Sequence, residues 1–291
     1  MSRLPDGELP GDVVHLRLPR PGELFERRAR RFRELAAGNP MGELLEALGE
    51  VCAAQGRALA GVPAPPSGTA ALGAIPLRAT AWPRDPAWRS VLAALVADLR
   101  ARPWPQGAAA ALSRLATAPA AELEAVADGI LAGSPAFTDL AAAPFVAAAL
   151  QVYFTALAAT LPAHAVERST HGCPVCGSPP VAGVVQGDDK LRYLACSLCG
   201  SEWNLVRIQC WSCSATGGIR YLGVAGDPGA TKAEACTACQ AYLKLFYRER
   251  VPRAEPVADD VATLTLDLLA ATEGWARSGV NLFLIGGAEA A

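Results

Sequence analysis

The segment Cys173-Pro-Val-Cys176 opens a series of four Cys-x-x-Cys pairs, which continues with Cys196-Ser-Leu-Cys199, Cys210-Trp-Ser-Cys213 and Cys236-Thr-Ala-Cys239. Nineteen residues separate the first and second pairs, ten the second and third, and twenty-two the third and fourth. Two residues between cysteines allow a tight turn, or knuckle, to direct both sulfurs at one ion, and backbone N–H groups of the turn stabilise the thiolates. The series predicts two tetrathiolate sites and therefore two metal ions per chain.

The gaps indicate how the four pairs are combined. The first and last gaps fit two knuckles joined by a small sheet, as in zinc ribbons and rubredoxins. Each half of the region consists of a cysteine pair, short predicted strands and a second cysteine pair. This repeat favours sequential sites, in which the first pair combines with the second and the third with the fourth, over a crossed arrangement. Gly177 and Gly200 follow the first two pairs, where glycine closes such a turn at a positive φ. Ser214 and Gln240 take these places in the other half, so we expect less regular knuckles there.

The identity and the role of the metal remain open from the spacing alone. Closed tetrathiolate sites are more often structural, and such sites supply folding free energy to a small module. Iron in the same cage can carry an electron, and the spacing does not separate iron from zinc.

Composition restricts the class of protein. The 291 residues carry a formal net charge of −2 and are 52% hydrophobic, which predicts an ordered chain without a general attraction to nucleic acid or anionic membranes. No apolar stretch reaches the roughly 20 residues that span a bilayer, and the start shows no secretory signal. We therefore expect a cytoplasmic protein whose nine cysteines are thiols or metal thiolates.

The periodicity of apolar residues predicts helices before the cysteine region and a small β-rich module within it. Apolar stripes begin near Phe25, Leu44 and Trp88, and a last helix starts near Pro144. Short strands are predicted at 181–185, 191–194 and 219–224, and one helix follows, with Asp259 and Asp260 near its positive end. The predicted divisions are a helical domain at 1–165, metal domains at 166–208 and 209–250, and a C-terminal helix and tail at 251–291.

Several residues outside the cysteine series have an ordinary structural interpretation. Cys52 lies on the apolar stripe of its helix and is expected to be a buried hydrophobic residue rather than a ligand. Trp203 is expected to pack inside the module, and the arginine-rich run at 27–33 to form a solvated helix face. We find no pattern typical of a catalytic triad and no phosphate-binding loop, so we predict no enzyme.

Non-cysteine residues around the knuckles carry a family resemblance. Cys173-Pro-Val-Cys-Gly-Ser, Leu191-Arg-Tyr-Leu-Ala-Cys, Glu202-Trp203 and Val206-Arg207 resemble the formate dehydrogenase accessory (FdhE) family. The resemblance extends through Lys232-Ala-Glu-Ala-Cys to Glu255-Pro-Val-Ala-Asp-Asp, and it covers about residues 149 to 287. Asn204 departs from the pattern, since the family often has histidine after the Glu-Trp pair.

The resemblance implies a multidomain α+β fold, in which an N-terminal all-α domain precedes two packed rubredoxin-like or zinc-ribbon domains and a C-terminal helix. It implies iron, two ions per chain, with zinc as the alternative. It also implies a cytoplasmic accessory protein that binds the catalytic subunit of formate dehydrogenase and is required for its activity. The alternatives are a rubredoxin-type electron-transfer protein and, more weakly, a zinc-ribbon nucleic-acid adaptor. We expect no nucleic acid and no membrane span, and we retain a homodimer as an alternative to a monomer.

Overall fold

The computed structural model of the protein describes residues 13–62, 75–133, 140–169, 171–224, 226 and 229–285. The N-terminal part is helical, as the periodicity predicts. Its helices are α1 (Pro21–Ala36), α2 (Gly42–Ala58), α3 (Ala87–Arg100), α4 (Gln106–Leu115), α5 (Ala120–Ala132) and α6 (Ala143–Ala158). Among the described residues, no helix is long and apolar enough to cross a membrane.

Local signals in the sequence explain the ends of these helices. The carboxylate of Asp85 accepts a hydrogen bond of 2.8 Å from the N–H of Ala87, which satisfies a free donor at the start of α3. Helix α5 ends at Gly133, whose φ of 65° needs the freedom of glycine. Helix α6 lies at the centre of the helical part with most of its side chains buried, and it contacts α2, α3 and α5.

The cysteine region folds into one sheet, to which the N-terminus contributes a short strand. The strands are β1 (Leu16–Arg17), β2 (Pro180–Gln186), β3 (Leu191–Cys196), β4 (Glu202–Asn204), β5 (Ile219–Leu222), β6 (Thr231–Cys236), β7 (Ala241–Tyr247) and β8 (Ala276–Arg277). Their order is β1-β4-β3-β2-β7-β6-β5, with β8 beside β7. The three predicted strands are confirmed as β2, β3 and β5, whereas the other strands of the sheet are additional to the prediction.

Two antiparallel units of similar layout make up most of the sheet. Strands β2, β3 and β4 accompany the first two cysteine pairs, and strands β5, β6 and β7 accompany the other two. The units meet where β2 and β7 run parallel, with Gly183 opposite Leu245. A Cβ atom at Gly183 would lie 2.5 Å from Cδ2 of Leu245, so a larger residue there would require the Leu245 side chain to move. The internal repeat is therefore confirmed, and it forms one continuous sheet.

The C-terminal segment differs in detail from the single helix predicted. It forms α7 (Pro256–Ala262) and α8 (Leu264–Thr272), with Thr263 between them in a non-helical conformation. The side chain of Glu255 caps α7 by accepting a hydrogen bond of 2.8 Å from the N–H of Ala258. Trp275 follows α8 and packs with Leu266 and Ala270 in a small second core beside β6.

Ion pairs attach α7 to the rest of the protein and correct one interpretation from the sequence. Arg28 is buried and donates to Glu255 at 3.0 Å, and Arg31 binds both carboxylate oxygens of Asp259, at 2.9 and 2.6 Å. The 27–33 run is therefore not simply a solvated face. Asp259 lies in the first turn of α7, near the positive helix end as predicted, and Asp260 is fully buried. Although burial favours its protonated form, the charges of Lys244 and Arg277 hold the pKa of Asp260 below its usual range.

Candidate metal centre

The eight cysteines of the four pairs lie in two groups of four. Site 1 consists of Cys173, Cys176, Cys196 and Cys199, and site 2 consists of Cys210, Cys213, Cys236 and Cys239. Within each site the sulfur atoms all lie within 4.8 Å of one another. The first pair is thus combined with the second and the third with the fourth, which confirms the sequential arrangement.

The spacing of the sulfurs suits a tetrahedral ion. Sulfur atoms of different knuckles are separated by 3.4 Å for Cys176–Cys196, 3.6 Å for Cys173–Cys199, 3.7 Å for Cys213–Cys236 and 3.8 Å for Cys210–Cys239. A tetrahedron with metal–sulfur bonds of about 2.3 Å places its sulfurs about 3.8 Å apart. Four sulfur donors at this spacing fit zinc or iron, and they do not fit magnesium or calcium, which prefer oxygen ligands.

All four knuckles share one backbone conformation at the residue that follows the second cysteine. Its φ is 78° at Gly177, 72° at Gly200, 61° at Ser214 and 55° at Gln240. In the second half, the N–H groups of Ser214 and Gln240 donate to the carbonyl groups of the first cysteines of their pairs, each at 2.9 Å. The prediction that these two knuckles are less regular is therefore wrong for the backbone. A side chain in this conformation costs about 1–2 kcal/mol, which the closed turn must offset.

Site 1 lies inside the main hydrophobic core. None of its four cysteines is more than 2% exposed, and they pack in one cluster with residues of α1 to α7. Residues outside the sheet cover its first knuckle, because the N–H groups of Leu77 and Ala79 donate to the carbonyl groups of Val175 and Cys176, both at 2.9 Å. The helical part of the chain and site 1 therefore form one packing unit.

A buried pair of glutamines connects the helices to the second knuckle of site 1. The side-chain amide of Gln151 on α6 donates to the carbonyl group of Ser197 at 2.8 Å, and that of Gln55 on α2 donates to Gln151 Oε1 at 2.9 Å. Both glutamines are at most 1% exposed. The only sequence signal of this contact is Gln151 itself, since a lone amide in an apolar helix needs a buried partner.

Site 2 lies at the periphery of the sheet and is open to solvent on one side. Cys210 and Cys236 are buried, Cys239 is half-buried and Cys213 is exposed. The indole N–H of Trp211, inside the third pair, donates to the hydroxyl oxygen of Ser278 at 2.8 Å. The two sites thus have the same four-cysteine composition but different surroundings.

A buried arginine joins the two units of the sheet. Arg192 on β3 forms an ion pair with Glu234 on β6, and both side chains are almost completely buried. Its guanidinium group also donates to the carbonyl groups of Leu205, Val206 and Gln209, at 3.2, 2.7 and 2.7 Å. Arg192 therefore holds the segment that leads into site 2, and nothing in the cysteine spacing indicates this role.

Burial of site 1 makes ionised sulfur costly unless a positive charge lies beside it. Burial raises the pKa of the Cys173 and Cys196 thiols well above the usual range. Four thiolates in such surroundings need a compensating positive charge, which a metal ion supplies. Among the residues that the structure describes, sites 1 and 2 account for all groups of three or more side chains suited to hold a metal ion.

The surface beside site 2 carries exposed apolar side chains. Val206 and Ile208, in the segment before Cys210, are 59% and 62% exposed. Trp203 is 2% exposed, which confirms its predicted packing role, whereas Glu202 pairs with Arg248 at 3.4 Å.

Cys52 is buried on α2, as predicted, and burial raises the pKa of its thiol far above the usual range. We expect Cys52→Ala to leave the metal content of the protein unchanged. The free energy of unfolding should fall by roughly 1 kcal/mol, since the change removes only one small buried group. Metal analysis and denaturant unfolding of the variant measure both effects, and loss of one ion per chain would show that Cys52 is a ligand.

Comparison with known proteins places the whole chain in one family. The family models described as "FdhE, N-terminal", "FdhE, central domain" and "FdhE, C-terminal domain" match residues 13–171, 172–207 and 208–284. The chain is 40% identical over 289 residues to "Protein FdhE homolog" of Enterobacter sp. (strain 638), covering 94% of this chain and 92% of the relative. The same figures hold for "Protein FdhE" of Escherichia coli (strain K12 / DH10B).

A solved structure supports the same assignment. The crystal structure of the FdhE protein from Pseudomonas aeruginosa superimposes with a TM-score of 0.86 at 37% sequence identity, covering 94% of this chain and 99% of the other. The resemblance carried by the knuckles and their neighbours is therefore confirmed along the chain, including its helical part. The chain belongs to the FdhE family.

Proposed function

We propose that the protein is a non-enzymatic accessory factor for formate dehydrogenase, which binds the catalytic subunit and holds two iron ions. The observation that carries the proposal is the pair of four-cysteine sites in a chain of the FdhE family. Zinc is the alternative metal, because the sulfur spacing suits both ions. We place the protein in the cytoplasm, where thiolates remain reduced.

The metal ligands in this proposal are the eight cysteines. Cys173, Cys176, Cys196 and Cys199 hold one ion, and Cys210, Cys213, Cys236 and Cys239 hold the other. A bound ion supplies positive charge that balances the thiolates and cross-links two knuckles. The chain itself contributes the positive-φ turns and, at site 1, the N–H groups of Leu198 and Cys199, each 3.4 Å from Cys196 Sγ.

The surface around 202–208 is our candidate for contact with the catalytic subunit. It joins exposed Val206 and Ile208 to the charged side chains of Glu202 and Arg207. Arg192 holds this segment through the carbonyl groups of Leu205, Val206 and Gln209, and the ion of site 2 would hold Cys210, which follows it. Without the ion the segment would become less ordered, and binding would carry an additional ordering cost.

We propose that the chain is divided into four regions. We retain a helical domain at 1–165, metal domains at 166–208 and 209–250, and a C-terminal region at 251–291. We also retain the expectation that the chain binds no nucleic acid, and a homodimer stays an alternative to a monomer.

One observation favours a second candidate function. Cys213 of site 2 is exposed, so an iron ion there would lie close to solvent and to any docked redox partner. This arrangement suits a rubredoxin-type electron carrier, in which the metal itself is the working group.

Replacing iron by zinc separates the two functions. If the ions only hold the shape of the docking surface, zinc-loaded protein should restore formate dehydrogenase activity to an extract of a deletion strain nearly as well as iron-loaded protein. If iron transfers electrons, the zinc form should bind the catalytic subunit and yet restore no activity, because zinc has no redox chemistry.

The measurement is formate dehydrogenase activity at matched concentrations of the two forms, together with co-purification of the catalytic subunit. The control is Cys52→Ala, which should behave like the native chain. Full restoration by metal-free protein would contradict both candidates and would assign the function to the helical part.

A further inference from the structure

The two sites differ in access although they share one ligand set. We propose that site 2 releases its metal ion to soft ligands from solution and takes up another ion, whereas site 1 retains its ion for as long as the chain stays folded. The proposal rests on the metal binding proposed above and assigns different tasks to the two sites: site 1 is a permanent part of the core, and site 2 is loaded and emptied.

The first argument is the exposure of the sulfurs. An incoming ligand must reach the ion or a departing sulfur, and all four cysteines of site 1 are at most 2% exposed. In site 2, Cys213 is exposed and Cys239 is half-buried, so one side of the tetrahedron faces solvent. Thiols and similar soft ligands compete best for a thiolate-bound ion of this kind.

The second argument is what must move for a ligand to enter. At site 1, opening the first knuckle breaks the hydrogen bonds from Leu77 and Ala79, and opening the second breaks the one from Gln151. Leu77 and Ala79 belong to the main hydrophobic core and Gln151 lies on the buried helix α6, so opening site 1 disrupts the core that it shares with the helices.

Opening site 2 requires a smaller movement. The third knuckle is attached by the hydrogen bond from Trp211 to Ser278, and the segment before it by Arg192. The cysteines of site 2 are not members of either hydrophobic cluster, and within the third knuckle Trp211 alone packs against the main one, so displacement of this knuckle exposes little of the core. Local opening of such a peripheral element costs much less free energy than global unfolding.

Competition with a chelator tests the proposal on the full chain reconstituted with zinc. The native protein is incubated anaerobically with an excess of a soft dithiol chelator, and the remaining metal is measured over time after removal of the dithiol. We expect one of two ions to leave at least about 10-fold faster than the other, because only one site opens locally. Iodoacetamide added after the fast phase, followed by peptide mapping, identifies the released thiols.

The expected label falls on Cys210, Cys213, Cys236 and Cys239, with site 1 unlabelled. Cys52 is an internal control, since it is buried in the core and should react only after unfolding in denaturant. Loss of both ions at one rate, or label on site 1 while Cys52 stays protected, would overturn the inference. A chain that holds no zinc or iron after reconstitution would instead refute the proposed metal binding itself.

Discussion

Cys176→Ser is expected to deprive the chain of its stable fold. Cys176 is 1% exposed in the main core, and its loss opens a site that helices and sheet share. Structural zinc contributes on the order of 10 kcal/mol to folding in small zinc-binding peptides. That is comparable to the whole net stability of a protein, ~5–15 kcal/mol. We therefore expect the variant to be insoluble or to lack a cooperative unfolding transition.

Cys213→Ser is the matched control, because it removes the equivalent ligand of site 2, the second cysteine of its first knuckle. Cys213 is exposed and lies outside both hydrophobic clusters. This variant should lose the ion of site 2, retain one ion per chain and keep the main unfolding transition within a few degrees. Metal analysis and thermal unfolding of both variants provide the comparison. Equal destabilisation by the two substitutions would show that burial does not distinguish the sites.

Arg192→Ala should have the next largest effect on stability. The change leaves Glu234 buried without its cation and removes the donor to the carbonyl groups of Leu205, Val206 and Gln209. Breaking a buried ion pair by removing one partner costs about 3–5 kcal/mol. We also expect weaker metal binding at site 2, because the segment that leads into Cys210 loses its anchor.

Denaturant unfolding measures the change in stability, and the fast phase of chelator competition measures the effect on site 2. Lys190→Ala is the control, since it removes a salt bridge to Glu249 in which both side chains are exposed. Such surface pairs contribute about 0–1 kcal/mol. If Arg192→Ala cost no more than Lys190→Ala, the buried pair would not stabilise the junction between the two sheet units.

Short-range patterns in the sequence predicted most of the elements that build the sites. The knuckles follow from two-residue spacing, and their pairing follows from the repeated order of cysteine pair, short strands and cysteine pair, although β6, which ends at Cys236, was not itself predicted. The helices follow from the periodic recurrence of apolar residues. These features depend on residues within one turn, one hairpin or one helix, so a single sequence contains the necessary information.

Contacts between distant segments were not predicted from the sequence. The ion pair of Arg28 with Glu255 joins residues 227 positions apart, and its two side chains look like ordinary surface charges in the sequence. Arg192 and Asp260 also look like ordinary charged residues in the sequence, and their ion-pair partners come from other strands of the sheet. The strand β4 was missed because its three residues are too few to show an alternating pattern.

The sequence by itself determined that this chain has two four-cysteine sites, because ligand identity and spacing are local properties of the chain. Only the tertiary structure decided that the sites are unequal. Helices α2 and α6 reach site 1 through Gln55 and Gln151, whereas Cys213 of site 2 remains exposed. The physical reason is that the burial of a cysteine depends on which distant elements pack over it. The residues within four similar Cys-x-x-Cys pairs do not indicate that packing.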